Sequence, residues 1–140
     1  MECTIHWQAS AGMAFVAETG SGHLLTMDGA PVGGGRNLAP RPMETVLAGT
    51  GGCTAYDVVL ILKRGRQQVS GCVVKIDADR AVADPKVFTR IHMQFTVNGK
   101  GLSEAAVARA IQLSHEKYCS ASAMLAKTAQ MTTGFDIVET

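Results

Sequence analysis

Hydrophobic and polar positions change period several times along the chain, and each change marks an element. Residues 1–28 read as short strands: Thr4–Gln8, Met13–Glu18 and His23–Asp28, broken at Gly12 and at Gly20-Ser21-Gly22. A flexible loop follows, Asp28-Gly29-Ala30-Pro31-Val32-Gly33-Gly34-Gly35-Arg36-Asn37, and leads to Pro40-Arg41-Pro42. Pro42 suits the first turn of a helix, where its missing N–H would go unpaired in any case. From Pro42 to about Gly65 the pattern predicts one long helix. It is apolar on most sides until Lys63, as a buried central helix is. Val46, Leu47 and Thr50 share one stripe, and Val58, Ile61 and Leu62 extend it. Gly49, Gly51 and Gly52 lie inside it, where each costs roughly 1 kcal/mol relative to Ala. Such a cluster predicts close approach of another backbone near Cys53.

The second half alternates with period two. Gly71–Arg80 places Cys72, Val74, Ile76 and Ala78 on one face. Val87–Val97 places Val87, Thr89, Ile91, Met93, Phe95 and Val97 on one face and Phe88, Arg90, His92, Gln94 and Thr96 on the other. Asp84-Pro85 makes the turn between them. Ser103 is an N-cap for a second helix, whose inner face carries Val107, Ala110, Ile111, Ser114 and Tyr118. A shorter helix from about Ser120 to Lys127 and a closing strand over 129–138 complete the order. The expected class is α+β in a single domain spanning 1–140, with helices on one face of an antiparallel sheet.

Composition narrows the function classes. Apolar residues make up 46% and charged residues 18%, which is globular and not disordered. The net charge of +1 offers no bulk field for nucleic acid or membrane lipid, and 5% aromatics offer few stacking platforms. The N-terminal Met1-Glu2-Cys3-Thr4-Ile5-His6-Trp7 lacks a signal peptide's basic and apolar regions. No apolar stretch is expected to reach the ~20 residues that span a bilayer. A cytoplasmic location is expected, where thiols are reduced by default.

Chemistry therefore falls to cysteine. The four cysteines, at 3, 53, 72 and 119, form no C-x-x-C pair, and no histidine lies at ligand spacing, so neither a metal nor a cofactor is expected. Gly33–Gly35 lacks the Gly-Lys-Ser/Thr ending of a phosphate loop, and no G-x-S-x-G elbow is present. Cys3 and Cys72 read as packed strand residues. Cys53, in Gly51-Gly52-Cys53-Thr54-Ala55-Tyr56-Asp57, reads either as a small core hydrophobe or as a thiol with space beside it. Cys119 sits between two helices; it either stands in for a cap residue or is a thiol favoured as thiolate by a helix N-terminus.

The stretch Asn37-Leu38-Ala39-Pro40-Arg41-Pro42-Met43-Glu44-Thr45-Val46-Leu47, followed by Gly51-Gly52-Cys53, resembles the approach to the reactive cysteine in the OsmC and organic hydroperoxide resistance proteins. Cys119-Ser120-Ala121-Ser122-Ala123-Met124-Leu125 resembles that family's second motif, a Cys-Pro-hydrophobic-Ser run. The likeness covers essentially the whole chain and is greatest to a less characterised branch with Pro-Arg-Pro-Met-Glu and Gly-Gly-Cys. It implies an intertwined homodimer with packed central helices. It also implies a thiol peroxidase cycle on organic hydroperoxides, with Cys53 peroxidatic, Cys119 resolving, and a dithiol such as a dihydrolipoyl group as reductant. In the family a Glu directly after the Pro pairs with an Arg that activates the thiolate. Here Met43 takes that position and Glu44 follows it, while Arg36 and Arg41 are the nearby cations. These departures keep a second expectation open: an OsmC-like dimer that binds a small ligand or senses redox state without turnover.

Overall fold

A computed structural model of the chain describes all 140 residues, Met1–Thr140. Its packing divides into two compact units, Met1–Ala48 and Gly49–Thr140.

In the first unit, β1 (Cys3–Gln8), β2 (Ala14–Thr19) and β3 (Leu24–Asp28) form an antiparallel meander in that order. Hairpin turns at the glycine breakers make this sheet local, and its register pairs Trp7 with Phe15 and Phe15 with Met27. Asp28 ends the meander with its side chain buried. Its carboxylate accepts the backbone N–H of Gly29 at 2.8 Å and those of Arg36 and Leu38 at 3.0 Å each, which gathers the glycine-rich loop around one anion. The Leu38 and Arg36 N–H groups hold the Asp28 carboxyl below its usual range.

Helix α1, Pro42–Arg64, starts in the first unit and continues through the second. Arg41 precedes it. Glu44 reaches back so that one carboxylate oxygen accepts the Arg41 backbone N–H at 2.9 Å, the reciprocal half of a capping box. The buried residues of α1 are Thr50, Thr54, Val58 and Leu62, a stripe at four-residue spacing, with Gly51 beside it. The expectation of burial on most sides is therefore corrected. Tyr56 is 68% exposed and Val46 42%. The glycine cluster is explained in part. A Cβ on Gly51 would lie 2.9 Å from Cδ1 of Ile76, whereas at Gly49 and Gly52 it would meet nothing within 4 Å. The 23-residue helix is also long and apolar enough to cross a bilayer by length and composition, with a mean hydropathy of 1.5, which corrects the expectation that no stretch reaches that length. Between Thr45 and Leu62 Asp57 is the only charged residue, so the run is continuous once its glycines and threonines are helical.

In the second unit β4 (Gln68–Arg80) pairs antiparallel with β5 (Phe88–Lys100), and β6 (Gln130–Glu139) pairs with β5 in parallel. The fold thus has two three-stranded sheets, and the second is mixed where an antiparallel one was expected. The helical crossover α2 (Glu104–Leu113) and α3 (Ser120–Leu125) carries the chain back to the starting end of β5, so β6 must run alongside it. Ile91, Met93, Phe95 and Val97 are fully or almost fully buried. Opposite them lie polar pairs: Arg90 with Asp77 and Asp79, His92 with Thr132, and Gln94 with Asp136. The alternation fails at the start of β5, where Phe88 is buried and Thr89 exposed. Pairing steps from Asp79–Arg90 to Arg80–Phe88, so Thr89 bulges out and the face inverts.

Ser103 caps α2 as expected, its side chain accepting the Ala106 N–H at 3.3 Å. Val107, Ala110, Ile111 and Ser114 are buried, but Tyr118 is 50% exposed. Residues 114–118 widen into a π turn that closes with the Cys119 N–H on the Ser114 carbonyl at 2.8 Å. The extra residue rotates Tyr118 off the inner stripe.

Candidate active site

Cys53 lies on α1, half-buried, beside the stripe that packs inward. One residue on, Thr54 is buried and its hydroxyl lies 2.9 Å from that of Ser114. One turn on, Asp57 accepts a hydrogen bond from the Ser114 hydroxyl at 3.0 Å. Ser114 thus ties α1 to the π turn after α2. That turn delivers Cys119, buried, as the N-cap of α3. The Cys119 sulfur accepts the Ser122 backbone N–H at 3.4 Å and the Ser122 hydroxyl at 3.2 Å. The Cys53 sulfur, the Cys119 sulfur and an Asp57 carboxylate oxygen all lie within 4.8 Å of one another.

Both cysteines are free thiols. Burial pushes the Cys53 thiol up from its usual value, and the neighbouring Cys119 thiol and Asp57 carboxylate act in the same direction. The Ala121 backbone N–H opposes them by pointing at the Cys53 sulfur. Cys53 should therefore react faster as pH rises, with an alkylation midpoint above the ~8.5 of an ordinary thiol. Asp57→Asn removes one like charge, so its midpoint should fall and its rate at neutral pH should rise. Rates with iodoacetamide, read by mass spectrometry at Cys53, check this; an unchanged or higher midpoint would refute it.

The other expected site residues lie in the first unit. Arg41 and Glu44 hold each other, Nη1 to Oε1 at 3.3 Å, and the Arg41 backbone N–H keeps the Glu44 carboxyl below its usual range. Arg36 is fixed through its backbone N–H on Asp28. Cys3 is exposed and not packed, whereas Cys72 is half-buried on β4, its thiol pushed up by burial. Asp57 and Ser122 were not singled out from the sequence, and Ser114 was read only as an inner-face residue of α2. The i, i+4 spacing of Cys53 and Asp57 was a usable signal for the first, because it puts both on one helix face.

These features can be set against known proteins. The family model described as OsmC-like protein matches residues 33–134. Protein YhfA of Escherichia coli K12 is 44% identical over 138 residues, which cover 99% of this chain and 98% of YhfA. The chain belongs to the OsmC-like family. A crystal structure of a hypothetical protein from Aquifex aeolicus VF5 is 27% identical, with a TM-score of 0.84 over 99% of this chain and 96% of that one. An organic hydroperoxide resistance protein from Legionella pneumophila shares the fold with a TM-score of 0.68, covering 97% of each chain at 14% identity. The fold of this OsmC-like chain is α+β, with sheets and a long central helix, as expected. In this OsmC-like chain both cysteine motifs fall within the matched residues.

Proposed function

We propose that the chain is a cysteine-dependent thiol peroxidase that reduces organic hydroperoxides. The supporting observation is the approach of the Cys53 and Cys119 sulfurs to within 4.8 Å, on two elements tied together by Ser114. To form a disulfide the two sulfurs must close from this separation to ~2.05 Å. The Cys53 thiolate attacks the terminal oxygen of ROOH. The O–O bond breaks, RO⁻ takes a proton to leave as ROH, and Cys53 becomes a sulfenic acid. Cys119 attacks that sulfur, water departs, and a disulfide forms. A dithiol, of the dihydrolipoyl type, takes the oxidising equivalents and restores both thiols. The half-buried Cys53 is the sulfur that substrate reaches, and the buried Cys119 resolves it. Arg36, Arg41 and Glu44 belong to the same proposal as the charged residues that tune the thiolate, on the strength of the family resemblance. A reducing cytoplasm is the setting that keeps such a pair ready.

The proposal includes a homodimer. Its support is the exposed side of α1, where a groove of about 490 Å³ is lined by Gly52, Ala55, Tyr56, Val59, Leu60, Lys63 and Cys72. Light scattering should give twice the 14.7 kDa chain mass; a monomer at micromolar concentration would refute the dimer.

One observation favours a second reading, a dimer that binds a small ligand or senses redox state without turnover. A carboxylate, Asp57, stands beside the thiols. Stopped-flow mixing of reduced protein with cumene hydroperoxide separates the two. Consumption faster than by a free thiol, with one Cys53–Cys119 disulfide per chain by mass spectrometry, is the peroxidase result. Oxidation no faster than a free thiol overturns it.

A further inference from the structure

We propose that Cys53, Asp57 and Cys119 form a three-ligand site for a soft divalent cation of the Zn²⁺ class, with a fourth position left to an exogenous ligand. Three observations carry it. The first is distance: all three ligand atoms lie within 4.8 Å of one another. A tetrahedral zinc with Zn–S bonds of ~2.3 Å holds its two sulfurs about 3.8 Å apart, so small side-chain rotations close the remaining gap.

The second is the way the ligands are held. Cys53 and Asp57 are one turn apart on α1, and Cys119 comes from the start of α3, so two elements clasp the site. The Ser114 hydroxyl, itself beside the buried Thr54 hydroxyl, donates to Oδ2 of Asp57 and so orients the carboxylate. Ser122 donates through its N–H and its hydroxyl to the Cys119 sulfur. Both are outer-layer hydrogen bonds of the kind that orient metal ligands.

The third is donor chemistry. Two sulfurs and one carboxylate select zinc over calcium or magnesium, which demand oxygen ligands. Two thiolates and a carboxylate crowd three negative charges together, and a divalent cation relieves that repulsion. On binding, the two thiols release their protons to solvent and no electron is transferred. Three protein ligands with an open position is also the arrangement of catalytic and exchangeable zinc sites, not of closed structural ones.

The test uses the reduced full-length protein, without oxygen, titrated with Co²⁺ while sulfur-to-cobalt charge-transfer absorption is recorded; Zn²⁺ is then added to displace the cobalt. One Co²⁺ per chain, displaced by Zn²⁺, is expected. Cys53→Ser and Cys119→Ser should each abolish the two-sulfur band. A Cys3→Ser/Cys72→Ser double variant should keep it. Asp57→Asn should weaken binding at least ~10-fold, and Ser114→Ala should weaken it ~10–100-fold as an outer-layer loss. The inference is overturned if the unaltered protein gives no charge-transfer band at millimolar Co²⁺. It is equally overturned if the band survives both Cys53→Ser and Cys119→Ser, or if Asp57→Asn binds as tightly as the unaltered chain. No peroxide enters the titration, so the fate of the peroxidase reading and that of the metal site are decided separately.

Discussion

Cys53→Ser is expected to lower hydroperoxide consumption by roughly 10³-fold or more, because a serine hydroxyl stays protonated and does not attack an O–O bond. What remains should equal the slow oxidation of the other thiols, of which only Cys3 is exposed. Cys119→Ser should behave differently. Its first turnover should proceed, since Cys53 is intact, and stop at a sulfenic acid that dimedone traps. Rapid mixing with cumene hydroperoxide followed by intact-mass analysis reads both variants. A Cys53→Ser protein that still turns over, or a Cys119→Ser protein that still cycles at the original rate, would show that the pair does not carry the chemistry. The contrast matters because a variant that had merely lost its fold would fail at the first turnover too.

Phe95→Ala is the largest expected effect on stability. Phe95 is completely buried at the centre of β5, flanked on the same face by Met93 and Val97 and paired with Val74 on β4 and Phe135 on β6. Removing the ring forfeits its transfer energy and leaves a cavity that three hydrogen-bonded strands cannot collapse to fill. The cost should be about 3–5 kcal/mol, seen as a fall of roughly 10–20 °C in melting temperature. The comparison variant is Val73→Ala, on the exposed face of β4, where Val73 is 61% exposed and little should change. Equal losses at the two positions would mean that β5 is not the core strand. Thermal unfolding followed by circular dichroism reads both.

Where the sequence succeeded, a local rule and the tertiary environment pointed the same way. The glycine breakers of the first 28 residues, the proline that opens α1 and the serine that caps α2 each act within a few residues, so they could be read without knowing what packs nearby. Phe88 and Tyr118 were misplaced for a common reason. A bulge at Thr89 and a π turn over 114–118 each insert one residue into a periodic pattern, and every side chain beyond such an insertion changes face relative to the count. Nothing in the local composition announces either. The parallel pairing of β6 was equally hidden, because strand direction depends on where the crossover returns the chain.

The sequence by itself determined the element order, the family and the two cysteines on which the proposed chemistry rests, since motif residues and periodicity are properties of neighbours along the chain. Only the tertiary structure decided that Ser114 bridges Thr54 and Asp57 and that Cys119 comes beside Cys53 and Asp57. Those contacts link residues some sixty positions apart, and such proximity is set by how the helices pack, which no periodicity encodes.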